Sequence, residues 1–168
     1  RESVRDRRHA RFLISALQAA VFNEVLARRP LPIGAVELGD VAVVQASGGL
    51  FVVEDLAREA PRAAAFEISA TGPIFGTRVL QPAGAPAQRE RAALAACGLD
   101  PDVTPAPPRG VRLHGARRPL RVAVSDAGAD FDGAVLRLRF VLPAGSYATV
   151  LIEELLRPDD AARESGLL

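Results

Sequence analysis

The chain has 168 residues, 49% of them hydrophobic and 24% charged, with a net charge of +1. That length and balance exclude a disordered or fibrous chain, allow a sizeable core, and leave any nucleic-acid affinity to local patches. One cysteine excludes an internal disulfide and a cysteine-based zinc cluster, and the absence of lysine among 21 basic residues excludes lysine-dependent chemistry.

No apolar run approaches the roughly 20 residues that span a bilayer, and no signal-peptide pattern opens the chain, so the expectation is a soluble, cytoplasmic protein without membrane contact. Methionine is absent even from position 1, which predicts further residues upstream.

In chain order, residues 9–29 predict a helix, with apolar residues at 13, 14, 17, 21 and 25 on one face. Phe12, Phe22 and Leu26 widen that face, predicting burial over much of the circumference, while Arg11, Ser15 and Gln18 form a narrower polar strip. Arg28 and Arg29 suit the negative end of the helix dipole, and Pro30 and Pro32 stop the helix. "DVAVVQA", Ser-Gly-Gly and "LFVVED" predict a β-hairpin. A short helix disturbed by Pro61 follows, then a strand in "FEISATGPIFG" that leaves into a Gly-Pro turn. Residues 86–97 predict an alanine-rich helix ended by Gly98, with Cys97 a small buried residue on it.

Four prolines in residues 99–110 mark a linker. A second hairpin is predicted from "LRVAVSD" and "AVLRLRFVL", with Leu120, Val122 and Val124 matched to Leu136, Leu138, Phe140 and Leu142 on the apolar face. Arg121, Arg137 and Arg139 share its other face. Residues 147–157 predict an apolar helix. Without regular βαβ alternation, the fold class is α+β with a largely antiparallel or mixed sheet. The first helix and the last hairpin-plus-helix are read as two pieces of one layer, with an inserted α+β subdomain between them.

Several chemistries find no support. His9 and His114 lack metal-ligand spacing, and there is no nucleophile elbow, Walker A loop or dinucleotide fingerprint. The acidic stretch "DAGADFDG" fails the calcium-loop pattern and is read as a solvated turn. The residues themselves offer no metal-ligand pattern and no cofactor-binding motif. Arg117, Arg118 and Arg121 in "HGARRPLR" are candidate phosphate contacts, since guanidinium groups suit bidentate anion binding; the bland alternative is a solvated face with acidic neighbours. "PAGSYAT" reads locally as a turn and helix start, with Gly145 permitting the turn, Ser146 capping the helix, and Tyr147 available to the core.

"RFVLPAGSYATVLIEELLRP" resembles the C-terminal motif of the TruD family of tRNA pseudouridine synthases. "RFLISALQAAVFNEVLARR", "LGDVAVV", "EISATGPIFG" and "GARRPLRV" are similar to further family segments in the same order, so the resemblance runs from about residue 1 to 158. It implies isomerisation of uridine to pseudouridine in tRNA, at position 13 in the best-known bacterial members, without a cofactor. It also implies that Tyr147, with Gly145 and Ser146, lines the uridine pocket, offering a π-face worth roughly 1–3 kcal/mol to a base taken from its stack.

The family's catalytic aspartate lies in an upstream Gly-x-Lys-Asp motif that has no counterpart here; Asp40 and Asp126 stand in other contexts. The expectation is therefore a C-terminal portion with no catalytic residue of its own. It would comprise catalytic-domain segments 1–35 and 117–168 around an inserted domain, 36–116. The alternatives are a non-catalytic RNA-binding module of the same fold and an unrelated α+β interaction domain. The last of these predicts a buried Tyr147 and acid-paired Arg137 and Arg139.

Overall fold

A computed structural model describes residues 7–103 and 112–156. The order of elements is α1 (Arg7–Ala27), β1 (Val41–Val44), β2 (Leu50–Val52), α2 (Leu56–Ala64), β3 (Ile68–Ile74), α3 (Gly84–Ala96), β4 (Ala116–Pro119), β5 (Ser125–Phe131), β6 (Leu136–Val141) and α4 (Ala148–Leu156). All strand pairs within named strands are antiparallel, so the α+β expectation holds. The chain divides into two compact units, Arg1–Arg121 and Val122–Leu168.

In the first unit the strands run β2-β1-β3-β4, with β3 buried almost throughout. Ile68 and Ala70 join Val36, Ala42, Val53 and Ala63 in an apolar cluster, against which Leu120 packs. The intervening Ser69 and Thr71 are buried polar residues, and each is hydrogen-bonded, as buried hydroxyls must be. A second cluster, Val21, Phe75 and Leu113, gathers Ile14 and Leu17 of α1 with Leu94, Cys97 and Leu99.

The predicted Gly-Pro turn lies instead inside β3. Gly72 and Pro73 continue the strand opposite Arg118 and Arg117, while β1 reaches only as far as Ala70. Pro73 thus has a strand on one side only, where proline's missing N–H is tolerated. The short β4 escaped the sequence reading because Ala-Arg-Arg-Pro carries no apolar alternation.

The segment Arg8–Ala27 is long and apolar enough, by length and composition alone, to cross a membrane, at a hydropathy of 1.3 over its most apolar window. Its C-terminal half is a core helix, with Val21, Phe22 and Val25 buried. The expected burial of its N-terminal half is corrected, since Phe12 is 71% exposed and Leu13 lies beside it at the surface.

Helix α3 ends as the sequence predicts. Leu99 N donates to Leu94 O at 3.0 Å and Gly98 N to Ala95 O at 3.0 Å, a Schellman turn with Gly98 at φ 76°. Cys97 is half-buried at this cap rather than fully enclosed. The proline-rich linker lies mostly outside the described residues.

The second unit corrects the predicted hairpin. β5 is built from "SDAGADF", the stretch read as an acidic turn, and pairs with β6 as Gly128↔Arg139, Asp130↔Arg137 and Phe131↔Leu136. The reversal falls later because Asp132 caps it: its carboxylate accepts the Val135 N–H at 2.9 Å and the Ala134 N–H at 3.2 Å. An Asp-Gly start with an Asx-type cap is a stronger turn than the alanine-rich stretch before it. Leu120 and Arg121 therefore belong to the first unit, and Arg137 meets Asp132 at 2.9 Å.

Candidate functional site

The turn before α4 forms as its residues dictate. Gly145 takes a φ of 86°, and the Ser146 N–H closes the turn on Pro143 O at 3.1 Å. Ser146 does not cap the helix. Tyr147 immediately precedes α4, its carbonyl accepts the Val150 N–H at 3.2 Å, and the Ser146 hydroxyl makes no hydrogen bond among the described residues. Tyr147 stands 67% exposed, with its ring available to a partner rather than tucked into a core. In the same unit Val124, Ala129, Leu138, Phe140, Leu151 and Leu155 line a cavity of about 390 Å³.

The three predicted phosphate contacts are not alike. The Arg117 side chain is 1% exposed and meets Glu90 through two hydrogen bonds, Nη2 to Oε1 at 2.6 Å and Nη1 to Oε2 at 3.0 Å. Its Nε donates to Thr71 Oγ1 at 3.0 Å and its Nη2 to Thr71 O at 2.9 Å. Burial pushes the Glu90 carboxyl above its ordinary value, against the opposing pull of Arg117. This buried pair bolts α3 to the sheet, and the phosphate role expected of Arg117 is corrected to a structural one.

Arg121 is likewise engaged inside. It lies over the Phe66 ring at 4.4 Å and donates to Ser69 Oγ and Ile68 O, each at 3.0 Å, and to Ala63 O. Gly34 leaves it room, because a Cβ there would stand 2.9 Å from its Nη1. Burial pulls its pKa down. Only Arg118 presents its guanidinium outward, resting on the Phe22 ring at 5.3 Å with its hydrogen-bonding edge free.

One buried network was not legible in the sequence. Arg29, expected near the helix dipole, folds inward with its side chain 4% exposed and holds Asp40 at 2.9 and 3.2 Å and Ala35 O at 2.8 Å. Arg89 from α3 reaches Glu37 in the same loop at 2.7 Å. An Arg-Arg-Pro helix end carries no signal that its second arginine turns inward. Among the described residues no group of histidine, cysteine and acidic side chains is placed to hold a metal ion.

The first unit is an antiparallel α+β unit with buried arginine pairs, and the second a hairpin–helix unit presenting an exposed tyrosine turn. The family model described as tRNA pseudouridine synthase D (TruD) matches residues 4–155. The tRNA pseudouridine synthase D of Geobacter metallireducens is 47% identical over 151 residues, covering 87% of this chain and 37% of the relative. A Thermus thermophilus tRNA pseudouridine synthase D is 41% identical over 150 residues, covering 88% of this chain and 40% of the relative. The fold is similar to the crystal structure of the Methanosarcina mazei protein assigned as tRNA pseudouridine synthase D, at a TM-score of 0.69 and 21% identity over 88% of this chain and 38% of that one. The chain belongs to the TruD family of tRNA pseudouridine synthases. It spans under half the length of these relatives.

Proposed function

We propose that this chain serves as the C-terminal portion of a cytoplasmic enzyme that isomerises uridine, at position 13, to pseudouridine in tRNA. Supporting this reading is one observation above all: the family match spans residues 4–155, and within it Tyr147 of the Gly-Ser-Tyr turn is exposed rather than consumed by packing. Gly145 and Ser146 set the turn, and Tyr147 supplies a wall against which a flipped uracil stacks. The chemistry uses no cofactor. The nucleophilic aspartate belongs to the part of the relatives that this chain does not span. In this reading residues 36–116 form an inserted domain between catalytic-domain segments 1–35 and 117–168.

The test is a chimera. Residues 4–155 replace the matching segment of the Geobacter metallireducens relative, and pseudouridine is measured in unmodified tRNA. The chimera is expected to form pseudouridine, while the 168-residue chain alone forms none. Tyr147→Ala in the chimera should lower turnover roughly 5- to 150-fold, the equivalent of about 1–3 kcal/mol of stacking, with a smaller change in tRNA affinity. Unchanged kinetics would return Tyr147 to a turn residue. A folded, tRNA-binding but inactive chimera would favour the non-catalytic RNA-binding module instead.

A further inference from the structure

The arginines of the first unit are sorted by partner. Arg28, Arg29, Arg58, Arg62, Arg89, Arg91 and Arg117 each meet a carboxylate. Arg121 is stacked and hydrogen-bonded to carbonyls. By contrast Arg11, Arg78, Arg112 and Arg118 are exposed, and among the described residues none of them meets a carboxylate.

Two of these four, Arg78 and Arg112, stand on adjoining segments, and the other two are tied to the same helix. Thr77 and His114 form a β-bridge, with Thr77 N donating to Leu113 O at 3.0 Å and Gly115 N to Thr77 O at 3.2 Å. Arg78 follows one side of that bridge, and Arg112 precedes the other. The two backbones touch so closely that a Cβ on Gly76 would lie 2.5 Å from Gly115 N, so the arginine-bearing segments are held against each other. Gln18 of α1 donates to Phe75 O at 2.7 Å and His114 O at 3.3 Å, fixing the helix beside the bridge. Arg11 lies two turns before Gln18, about 10 Å along the axis, and Phe22, one turn after it, carries Arg118 on its ring at 5.3 Å.

Arg78 also holds a φ of 62°, a left-handed conformation that disfavours a side chain and that glycine adopts freely. A bulky, unpaired, charged residue in a glycine-type position has no packing reason to be there. Strain retained at an exposed charge points to a contact outside the chain.

We propose that Arg78 and Arg112 beside the Thr77–His114 bridge, with Arg11 on α1 and Arg118 on β4, form a ridge that binds the phosphodiester backbone of RNA. The choice of RNA over an acidic protein rests on the tRNA-modifying reading above; the ridge itself rests on the segregation of unpaired arginines. Backbone contacts of this kind position an RNA without reading its sequence.

The experiment titrates the 168-residue chain with fluorescently labelled, unmodified tRNA across a salt series. The double variant Arg78→Ala/Arg112→Ala should flatten the slope of log K against log salt by roughly 1.4–1.8, about 0.7–0.9 per lost phosphate contact. Arg58→Ala, at an acid-paired site on α2, should leave the slope unchanged. Arg78→Gly should lose the slope of one contact while its Tm stays level or rises, since glycine relieves the backbone.

Equal slopes in the double variant and wild type, no tRNA binding by the chain, or a lowered Tm in Arg78→Gly would each overturn the proposal. Displacement of tRNA by polyglutamate of matched charge would overturn it in favour of an acidic protein partner. The two readings fail separately. An active chimera with unchanged slopes removes only the ridge, whereas an inactive chimera with flattened slopes removes only the enzyme assignment.

Discussion

Arg117 and Arg118 are neighbours in sequence with opposite fates in the fold. β4 alternates, so one guanidinium enters the space beneath α3 and the other rests on Phe22 at the surface. Removing one partner of a buried, doubly hydrogen-bonded ion pair strands the other charge in a poor solvent. Arg117→Ala should therefore destabilise the protein by about 3–5 kcal/mol, and Arg118→Ala by less than about 1 kcal/mol, measured by urea unfolding. Comparable losses in both variants would contradict the division of labour between them.

At the scale of elements, local rules succeeded where one signal dominated. Gly98 ended α3, Asp55 caps α2 by accepting the Arg58 N–H at 3.1 Å, and the Ser-Gly-Gly turn joined β1 to β2. Gly98→Ala should lower stability by about 1–2 kcal/mol through its left-handed backbone alone, because a Cβ there meets nothing within 4 Å. A loss below a few tenths of a kcal/mol, read from the shift in urea midpoint, would mean that the cap relaxes. Reading failed where two local options competed or where partners are distant in sequence. The hairpin start at Ser125 was set by the Asp132 cap seven residues on, against a more apolar alternative starting at Leu120. Arg29 with Asp40, and Arg117 with Glu90, are pairings that no periodicity announces. Of the candidate site, the Gly145–Tyr147 turn was legible because its residues act locally. Arg118 was named as an anion contact from the sequence, but that it stays unpaired while Arg117 and Arg121 are taken up inside was not legible, because exposure without a partner is decided by the whole unit.

At the scale of the molecule, the two units differ in how they are held. The first has two buried apolar clusters and buried polar pairs. In the second, every described residue is at least partly exposed, with Phe131 at 68% and Leu156 at 70%. Local stability follows buried apolar contact, so amides of β5, β6 and α4 in this chain should exchange with solvent faster than those of β3. Mass spectrometry of deuterium uptake over minutes to hours checks this, and equal protection in the two units would contradict it.

The Schellman turn at the end of α3 has a practical side. Cys97 is the chain's single thiol and sits half-buried at that cap, beside Leu94 and Leu99 in the apolar cluster. A label placed there needs no mutagenesis to be site-specific. Because the thiol is only partly covered, its alkylation rate becomes a clock for the fraying of one helix end.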